Sequence, residues 1–357
     1  MEFELSVDQL ALQEAANDLL ARRADPAAVR RVVDGGGGWD PELWGHLVEQ
    51  GWPALLVPED LGGVGLGWVE AAVLVETTGR HVAPTPILGQ LVATDAMVAA
   101  GDSTWLDRLA AGEALAAVAT RSLEAERRGA GWSLTGTTEP VAFAPSADVL
   151  VVPGNTADGR RLFLVECANA GPEALESMDL TREFGRYTFD SESATELGGA
   201  DAAAAHLDRG ATAMAAEMLG CASAALDMSV EHARDREQFG RPIGSFQAVK
   251  HRCADMLVDV EGMRSASWWA AWALASGDPE RSAAASTAKI WCSDAAERVL
   301  TSALQVHGGI GFTWESDLHL YLKRIEYDRR AFGTAAEHRD RLADHLREQV
   351  RAGRPVI

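Results

Sequence analysis

The sequence predicts an α+β protein that is mostly α, with an N-terminal helical domain, a small truncated β domain and a C-terminal four-helix bundle. Three observations predict this order. Apolar residues recur at helical spacing in 1–112, short apolar runs alternate with turn-forming residues in 113–200, and long helical periodicity returns in 201–357. Because 357 residues exceed one ordinary core, we expect two or three domains in one compact subunit.

The N-terminal domain is predicted to be helical throughout. Ser6 precedes the first apolar helical face and suits its start. The Gly35–Gly38 run interrupts the pattern, after which Asp40 and Pro41 are the residue types that begin a second helix. The apolar helical segments other than this one are Phe3–Leu20, Val69–Thr78 and Ile87–Ala100.

The β domain is predicted from short apolar runs separated by turns. The sequence GNTADG, residues 154–159, has the composition of a turn between two such runs. The predicted strands are Leu115–Thr120, Trp132–Gly136, Val149–Val152, Arg161–Val165 and Arg186–Phe189.

The C-terminal domain is predicted to be a bundle of long antiparallel helices. Ser245 stands where the N-cap of the second helix belongs. The helical segments are Ala202–Asp235, Ser245–Ala275, Pro279–His307 and a last one from Asp317 onward.

Charge and composition exclude several classes of function. The formal net charge of −21 argues against a nucleic-acid partner or an anionic membrane surface. The sequence contains no run of eighteen apolar residues, so we expect no transmembrane helix. Its acidic, amphipathic start does not resemble a signal peptide. We therefore expect a cytoplasmic protein. The scattered cysteines lack metal or redox spacing; they are Cys167, Cys221, Cys253 and Cys292.

A helix–loop–helix corner at 231–256 brings together residue types that suit a phosphate-bearing, ring-containing ligand. Gly240 and Pro242 prevent a helix from running through it. Arg236, Phe239 and Gln247 offer a guanidinium, an aromatic ring and an amide. The alternative is an ordinary helical hairpin with a buried Phe239 and a solvated Arg236.

A glycine-rich element, QVHGGIGF at 305–312, follows the third long helix of the bundle. Gly308 and Gly309 let the backbone approach a ligand closely and can present N–H groups to a phosphate. The alternative is a simple helix C-cap.

The two elements together resemble the acyl-CoA dehydrogenase flavoprotein family. The family's R-x-x-F-G and Q-x-x-G-G motifs match 236–240 and 305–309, and Val57–Leu66 looks like its V-P-E-x-x-G-G-x-G segment. The helix–β–helix order also agrees, so the resemblance covers nearly the whole chain. It implies the family's fold, FAD as cofactor and an acyl-CoA substrate.

In this family each FAD is shared between subunits, and the two motifs hold its ADP half. The resemblance therefore implies that Arg236 binds the pyrophosphate. Phe239, Ile243 and Gln247 would line the adenosine side, and the cradle would be completed by Gln305, Gly308 and Gly309.

The sequence departs from the family where the flavin and the acyl thioester are held. The family's T-E-P-x-x-G-S-D motif would precede the Trp132–Gly136 strand, but 120–128 runs almost directly into that strand. Thr138-Glu139-Pro140 follows the strand and is therefore a false match. The resemblance implies that this flavin half-site is absent.

The family's catalytic Glu is missing as well. Its two usual positions correspond to Phe332 and Gly210, and neither residue can accept a proton. Glu217 is a candidate for a relocated base, with an ordinary polar role as the alternative.

These departures resemble the shortened, non-catalytic subunit of a heteromeric (α2β2) acyl-CoA dehydrogenase. A full-length partner would supply flavin pocket, substrate pocket and Glu, the substrate would be a steroid-CoA, and an electron-transfer flavoprotein would be the acceptor. Two alternatives remain: a homo-oligomeric dehydrogenase that uses Glu217, and a non-enzymatic scaffold or acyl-CoA-binding paralogue.

Overall fold

The computed structural model describes residues 4–129 and 131–353, and it confirms the predicted α+β, mostly α class. The helices are α1 (Val7–Arg23), α2 (Pro26–Asp34), α3 (Pro41–Glu49), α4 (Trp68–Arg80), α5 (Ile87–Ala100), α6 (Leu106–Ala110), α7 (Ala200–Asp235), α8 (Gln247–Ala275), α9 (Arg281–His307), α10 (Leu318–Asp328) and α11 (Ala335–Arg351). The strands are β1 (Ala116–Val118), β2 (Leu123–Arg128), β3 (Gly131–Thr137), β4 (Val141–Ala142), β5 (Val149–Thr156), β6 (Gly159–Glu166), β7 (Glu173–Leu175), β8 (Phe184–Arg186), β9 (Thr188–Gly198), β10 (Glu237–Gln238) and β11 (Arg241–Pro242).

Contacts divide the chain into two compact units. The sheet unit comprises Ala27–Ala71 and Pro84–Ala213. The bundle unit comprises Ala72–Ala83 with the described parts of Met1–Pro26 and Met214–Ile357. The three-part division at residues 112 and 200 stays a prediction.

The predicted helix starts in the N-terminal region have the expected caps. Ser6 and Gln9 form a capping box, in which each side chain bonds the other residue's backbone N–H. Asp40 accepts two backbone N–H bonds at the start of α3, where Pro41 occupies the first turn. Phe3, the first residue of the predicted apolar face, lies outside the described residues.

The main sheet of the sheet unit closes on itself. Its strand order is β1-β5-β2-β3-β9-β6, and β6 also pairs with β5, so β5, β2, β3, β9 and β6 form a ring. β1 and β2 run parallel to β5 along the same edge, one after the other, and all other pairings in this sheet are antiparallel. Phe163, Tyr187 and Val152 lie in the core that the ring encloses.

Several strands lie outside the prediction: the short strands β4, β7, β10 and β11, and the longer β2 and most of β9. β2 was not predicted, and the predicted strand Arg186–Phe189 is the junction of β8 with the long β9. Buried and exposed residues alternate at the start of β2 and at the start of β9, where the exposed positions are Glu124, Glu126 and Asp190. A search for continuous apolar runs overlooks such half-exposed antiparallel strands.

The bundle unit is built around α9, which contacts α8, α10 and α11. Its buried face consists mainly of alanines and serines, so neighbouring helices approach closely. The segment after Asp317 forms α10 and α11, separated at 329–334. Ser245 does not cap α8 as predicted, because Phe246 is the N-cap and the Ser245 hydroxyl donates to the Pro242 carbonyl (2.7 Å).

Within the bundle unit, α4 and α7 cross at a pair of glycines. A Cβ on Gly79 would lie 2.2 Å from the carbonyl oxygen of Glu217, and a Cβ on Gly220 would lie 1.9 Å from that of Glu76. Real Cβ atoms do not approach so closely, so each helix needs glycine where the other helix's backbone passes. The crossing fixes Glu76 and Glu217 through their own main chains.

Among the described residues, α7 is long and apolar enough to span a membrane by length and composition. Its apolar window is 83% buried within the protein, as expected of a core helix. The search for eighteen consecutive apolar residues did not single out this helix, because polar residues such as Glu217 interrupt its apolar positions.

Candidate functional site

The corner after α7 is a tight β-hairpin. β10 and β11 pair through Glu237–Pro242 and Gln238–Arg241, leaving Phe239 and Gly240 as the two-residue turn. Both turn residues have positive φ, +53° and +74°, which is the pattern of a type I′ turn. The backbone N–H of Ile243 donates to the Arg236 carbonyl (2.7 Å) and ties the hairpin to the end of α7.

Phe239 stands at the tip of this hairpin and is 91% exposed. The ordinary hairpin with a buried Phe239 is therefore wrong. A phenylalanine at φ +53° is strained, and such strain is typical of functional positions. Its ring meets Phe246 edge-on, with ring centroids 6.0 Å apart, and the Arg241 guanidinium lies 4.2 Å from the Phe246 centroid. The hairpin thus presents an aromatic surface to solvent.

Arg236 is exposed, and its side chain makes no hydrogen bond or ion pair with the rest of the described chain. Many arginines of the bundle unit, by contrast, pair with carboxylates, among them Arg298 with Asp259 at 2.5 Å. In an acidic chain an unpaired guanidinium beside a strained aromatic is suited to an anionic, ring-containing ligand.

The start of α8 adds backbone donors to the same corner. No side chain caps this helix within the described chain, so first-turn N–H groups such as that of Gln247 have no side-chain acceptor. Gln247 is exposed, with its Nε2 3.4 Å from Nε2 of His251, and Ile243 is half-buried beside it.

The glycine-rich element begins as a helix C-cap. Gly308 follows the last residue of α9 with φ +65° and ψ −140°, a conformation reserved for glycine, and its N–H donates to the Leu304 carbonyl. Gly309 is exposed, and a Cβ there would meet nothing within 4 Å. Gln305 is exposed one turn earlier. The capping alternative is correct for Gly308, while Gly309 leaves open space for a ligand.

Two histidines bring the corner and the glycine-rich element together. His232, one turn before Arg236, stacks on His307, the residue before Gly308, with centroids 4.5 Å apart and planes 18° apart. Both predicted elements therefore lie at one end of the bundle unit.

Neither position assigned to the family's catalytic Glu carries an acid. Gly210 is buried within α7. Phe332 is fully buried at φ +54°, and its carbonyl accepts a hydrogen bond from Nε2 of His338 (2.7 Å). The segment that would present a base is packed as part of the core.

Glu217 is held in a buried ion pair. Nη1 of Arg324 lies 2.7 Å from Oε1 of Glu217, with side-chain exposures of 1% and 2%. Nη2 of Arg324 donates to the carbonyls of Val82 and Ala83, at 3.3 and 3.2 Å. A carboxylate so paired is a poor proton acceptor, and a structural role explains its position.

In the sheet unit, the segment from β1 to β2 is closed by the chain's own side chains. The Glu139 carboxylate accepts hydrogen bonds from the backbone N–H groups of Thr120 and Arg121, the latter at 3.1 Å. Nε2 of His206 donates to the Ala119 carbonyl (3.0 Å), and burial lowers the pKa of His206 to about 4. No long loop intervenes, since β1 and β2 follow one another along β5. Backbone groups here are already used internally.

Comparisons with known proteins identify the family. The model of the acyl-CoA dehydrogenase N-terminal domain matches residues 6–113, and that of the C-terminal domain matches residues 198–347. This chain belongs to the acyl-CoA dehydrogenase family. The family uses FAD and is an oxidoreductase family.

Relatives of similar length belong to the same family. Acyl-CoA dehydrogenase IpdE2 of Mycolicibacterium smegmatis is 36% identical over 339 residues, which cover 95% of this chain and 98% of IpdE2. Acyl-CoA dehydrogenase FadE27 of Mycobacterium tuberculosis is 32% identical over a match that covers 87% of this chain and 89% of FadE27.

Two solved acyl-CoA dehydrogenase structures are similar over almost the full length. The Tcur3481-Tcur3483 steroid ACAD G363A variant has a TM-score of 0.91 at 32% identity, covering 96% of this chain and 98% of that chain. The ChsE4-ChsE5 complex from Mycobacterium tuberculosis has a TM-score of 0.91 at 29% identity, and the match covers 98% of this chain and 99% of that chain.

Sequence reasoning missed the residues that join or close these sites. His232 and His307 are separated by 75 positions (307 − 232), and only the fold shows that they stack. Glu139 was dismissed as a false match, and nothing in its local sequence indicates that it bonds 120–121. The one available signal was the place of each histidine beside a motif, one turn before Arg236 and directly before Gly308.

Proposed function

We propose that this chain is one subunit of a heteromeric FAD-dependent acyl-CoA dehydrogenase that introduces an α,β double bond into an acyl-CoA. It supplies the ADP half of the FAD site. A full-length acyl-CoA dehydrogenase subunit supplies the flavin pocket, the substrate pocket and the catalytic Glu, in an α2β2 heterotetramer.

One contrast carries the proposal. The corner around Arg236 is open to a ligand, whereas the backbone at 119–121, where the family holds the flavin, is closed by the chain's own side chains. Arg236 is unpaired, the start of α8 is uncapped, and the backbone at Gly309 is open. In the sheet unit, Glu139 and His206 form hydrogen bonds with the backbone groups of 119–121. A self-sufficient dehydrogenase would need both halves in each chain.

The open corner suits the ADP moiety. Arg236 and the first N–H groups of α8 would bind the pyrophosphate, because a guanidinium and a helix N-terminus both favour anionic oxygens. The adenosine would lie against Phe239, Ile243 and Gln247, and Gln305, Gly308 and Gly309 would complete the cradle.

FAD held by Arg236 and the glycine-rich element would supply the hydride-accepting chemistry of the reaction. This chain's own contribution is binding and orientation, because Phe332 and Gly210 cannot move a proton and Glu217 is ion-paired. The proton transfer belongs to the partner's carboxylate.

The relatives support the choice of substrate and assembly. One structural neighbour is named a steroid ACAD, and another is a complex of two different chains. We therefore propose a steroid-CoA substrate. An electron-transfer flavoprotein as acceptor and a cytoplasmic location remain expectations of the sequence.

The decisive experiment is a visible spectrum and an FAD-to-polypeptide ratio, for the chain alone and for the chain co-expressed with a full-length acyl-CoA dehydrogenase subunit. We expect flavin only in the co-expressed sample, at one FAD per pair of unlike chains. One FAD per chain in the sample expressed alone overturns the split site.

A second measurement tests the residue that anchors the pyrophosphate. Arg236→Ala in the co-expressed complex is expected to raise the dissociation constant of FAD by about 10- to 100-fold, from the loss of charge-assisted hydrogen bonds. Arg234→Ala is the matched control, because Arg234 is also an exposed arginine and lies in the last turn of α7. If both variants bind FAD as the wild type does and the partner's activity is unchanged, a non-enzymatic scaffold explains the chain better.

A further inference from the structure

The stack of His232 and His307 is the feature from which we argue. Nδ1 of His307 lies 2.9 Å from the carbonyl oxygen of Ala303, and a carbonyl can only accept, so Nδ1 carries the proton. This bond fixes the orientation of the His307 ring on α9. The His232 ring, on α7, is then held face to face with it, at 4.5 Å between centroids.

Each ring belongs to a backbone segment that leads directly into one cofactor motif. The carbonyl of His232 accepts the hydrogen bond of the Arg236 N–H (2.9 Å), so Arg236 lies one helical turn from the ring. His307 is bonded to Gly308, where the chain leaves α9. The stack therefore fixes the spacing between the backbone that carries Arg236 and the open backbone at Gly308–Gly309.

We propose that His232 and His307 are positioning residues that hold the Arg236 corner and the Gly308–Gly309 turn at the separation the ADP moiety requires. The inference rests on the proposed function, since it concerns the same half-site. Binding the ADP moiety between two separate elements costs less when the spacing of those elements is already set.

The electrostatics of the pair give this role a pH signature. The pKa of His232 is lowered by burial, by His307 and by Arg236, and only Asp235 opposes the shift. Above the usual imidazole pKa of about 6.5 the His232 ring is neutral and can stack on His307. As pH falls from about 6.5 towards the lowered pKa of His232, protonation that the folded state disfavours would place a cation beside Arg236 and His307, so the stack loses stability over this range.

The test uses the co-expressed complex and titrates it with FAD itself. His232→Ala and His307→Ala are each expected to weaken FAD binding about 3- to 10-fold, the range for one aromatic pair. The double Ala variant should be no weaker than the worse single one, because the same contact is lost once. His46→Ala, in the sheet unit, is the control and should bind FAD as the wild type does.

The conservative variant separates positioning from mere stability. His232→Phe keeps a ring but cannot be protonated, so it should bind FAD within about twofold of wild type at pH 7.5 and lose FAD less steeply below pH 6.5. If His232→Phe binds as weakly as His232→Ala, or if His232→Ala binds like wild type, the inference is overturned. If Arg236→Ala and the histidine variants all bind FAD as the wild type does, the proposed half-site itself is refuted. If Arg236→Ala weakens FAD binding and the histidine variants do not, only the positioning role is refuted.

Discussion

The ion pair of Glu217 and Arg324 provides the sharpest test of whether this chain carries a base. Glu217→Ala leaves the Arg324 guanidinium buried, 1% exposed, without its carboxylate, while its hydrogen bonds to the carbonyls of Val82 and Ala83 remain. Because removing one partner of a buried ion pair costs about 3–5 kcal/mol, we expect the free energy of unfolding to fall by that amount. With a urea m-value of about 3 kcal/mol/M, the midpoint should fall by roughly 1 M or more.

The assay is urea unfolding followed by circular dichroism, with Asp344→Ala as control. Asp344 pairs with Arg347 on the surface, with exposures of 72% and 65%, so its loss should cost at most about 1 kcal/mol. FAD reduction by substrate is then measured in the complex with Glu217→Gln, which retains one acceptor for Arg324. Unchanged stability of both Glu217 variants together with abolished reduction would refute our interpretation and restore Glu217 as a base.

Two further predictions concern a buried lysine and the hairpin tip. Burial lowers the pKa of Lys289 from 10.5 to about 7, although its Nζ donates to the Asp328 carbonyl (2.5 Å). Between pH 7 and about 10.5 the unfolded chain therefore binds one more proton than the folded chain, so the free energy of unfolding rises with pH in this range. Lys289→Met should reduce that rise by up to about 1.4 kcal/mol per pH unit. Urea midpoints at pH 7, 8 and 9 that change with pH in the variant as they do in the wild type would contradict this prediction. Phe239→Asn creates a favoured type I′ turn with Gly240, so the free energy of unfolding should stay equal or rise by up to about 1 kcal/mol. The FAD content of the complex should fall, because the exposed ring is lost. An equal or higher FAD content would show that the strained ring contacts no ligand.

Local chemistry made parts of this fold readable in the sequence. Ser6 and Asp40 were recognised as helix starts because their side chains bond backbone groups only two or three residues away. Gly308 was recognised because its backbone conformation admits no other residue type. Interactions that close within one helical turn leave their mark in a short stretch of sequence.

Contacts between distant residues could not be read in the same way. The carboxylate of Glu139 meets 120–121 only after β1, β3 and β5 have come together, and its motif-like neighbours suggested a different role. Ser245 illustrates the reverse error: it has the right type and place for a cap, but its hydroxyl is drawn to Pro242 by the hairpin. In both cases the tertiary arrangement decides which partner a polar group finds.

The same distinction applies to the candidate site. Arg236 and Phe239 follow from the resemblance, whereas the exposure of the Phe239 ring and the freedom of the guanidinium are facts of the fold. A sequence can indicate which residues suit a ligand, but only the arrangement of their neighbours determines whether they are available to it.

The glycine crossing of α4 and α7 is the pivot point about which α7 would tilt if either glycine were replaced. His232 lies twelve residues beyond Gly220 along α7, or about 18 Å at 1.5 Å per residue. A single methyl group on Gly220 would meet the Glu76 carbonyl at 1.9 Å and must tilt or shift the helices. A tilt of about 5° at the pivot moves the far end of α7 by roughly 1.5 Å, more than a hydrogen bond to a phosphate tolerates. Substitutions at Gly79 or Gly220 are therefore expected to displace the proposed ADP half-site, although neither glycine belongs to it.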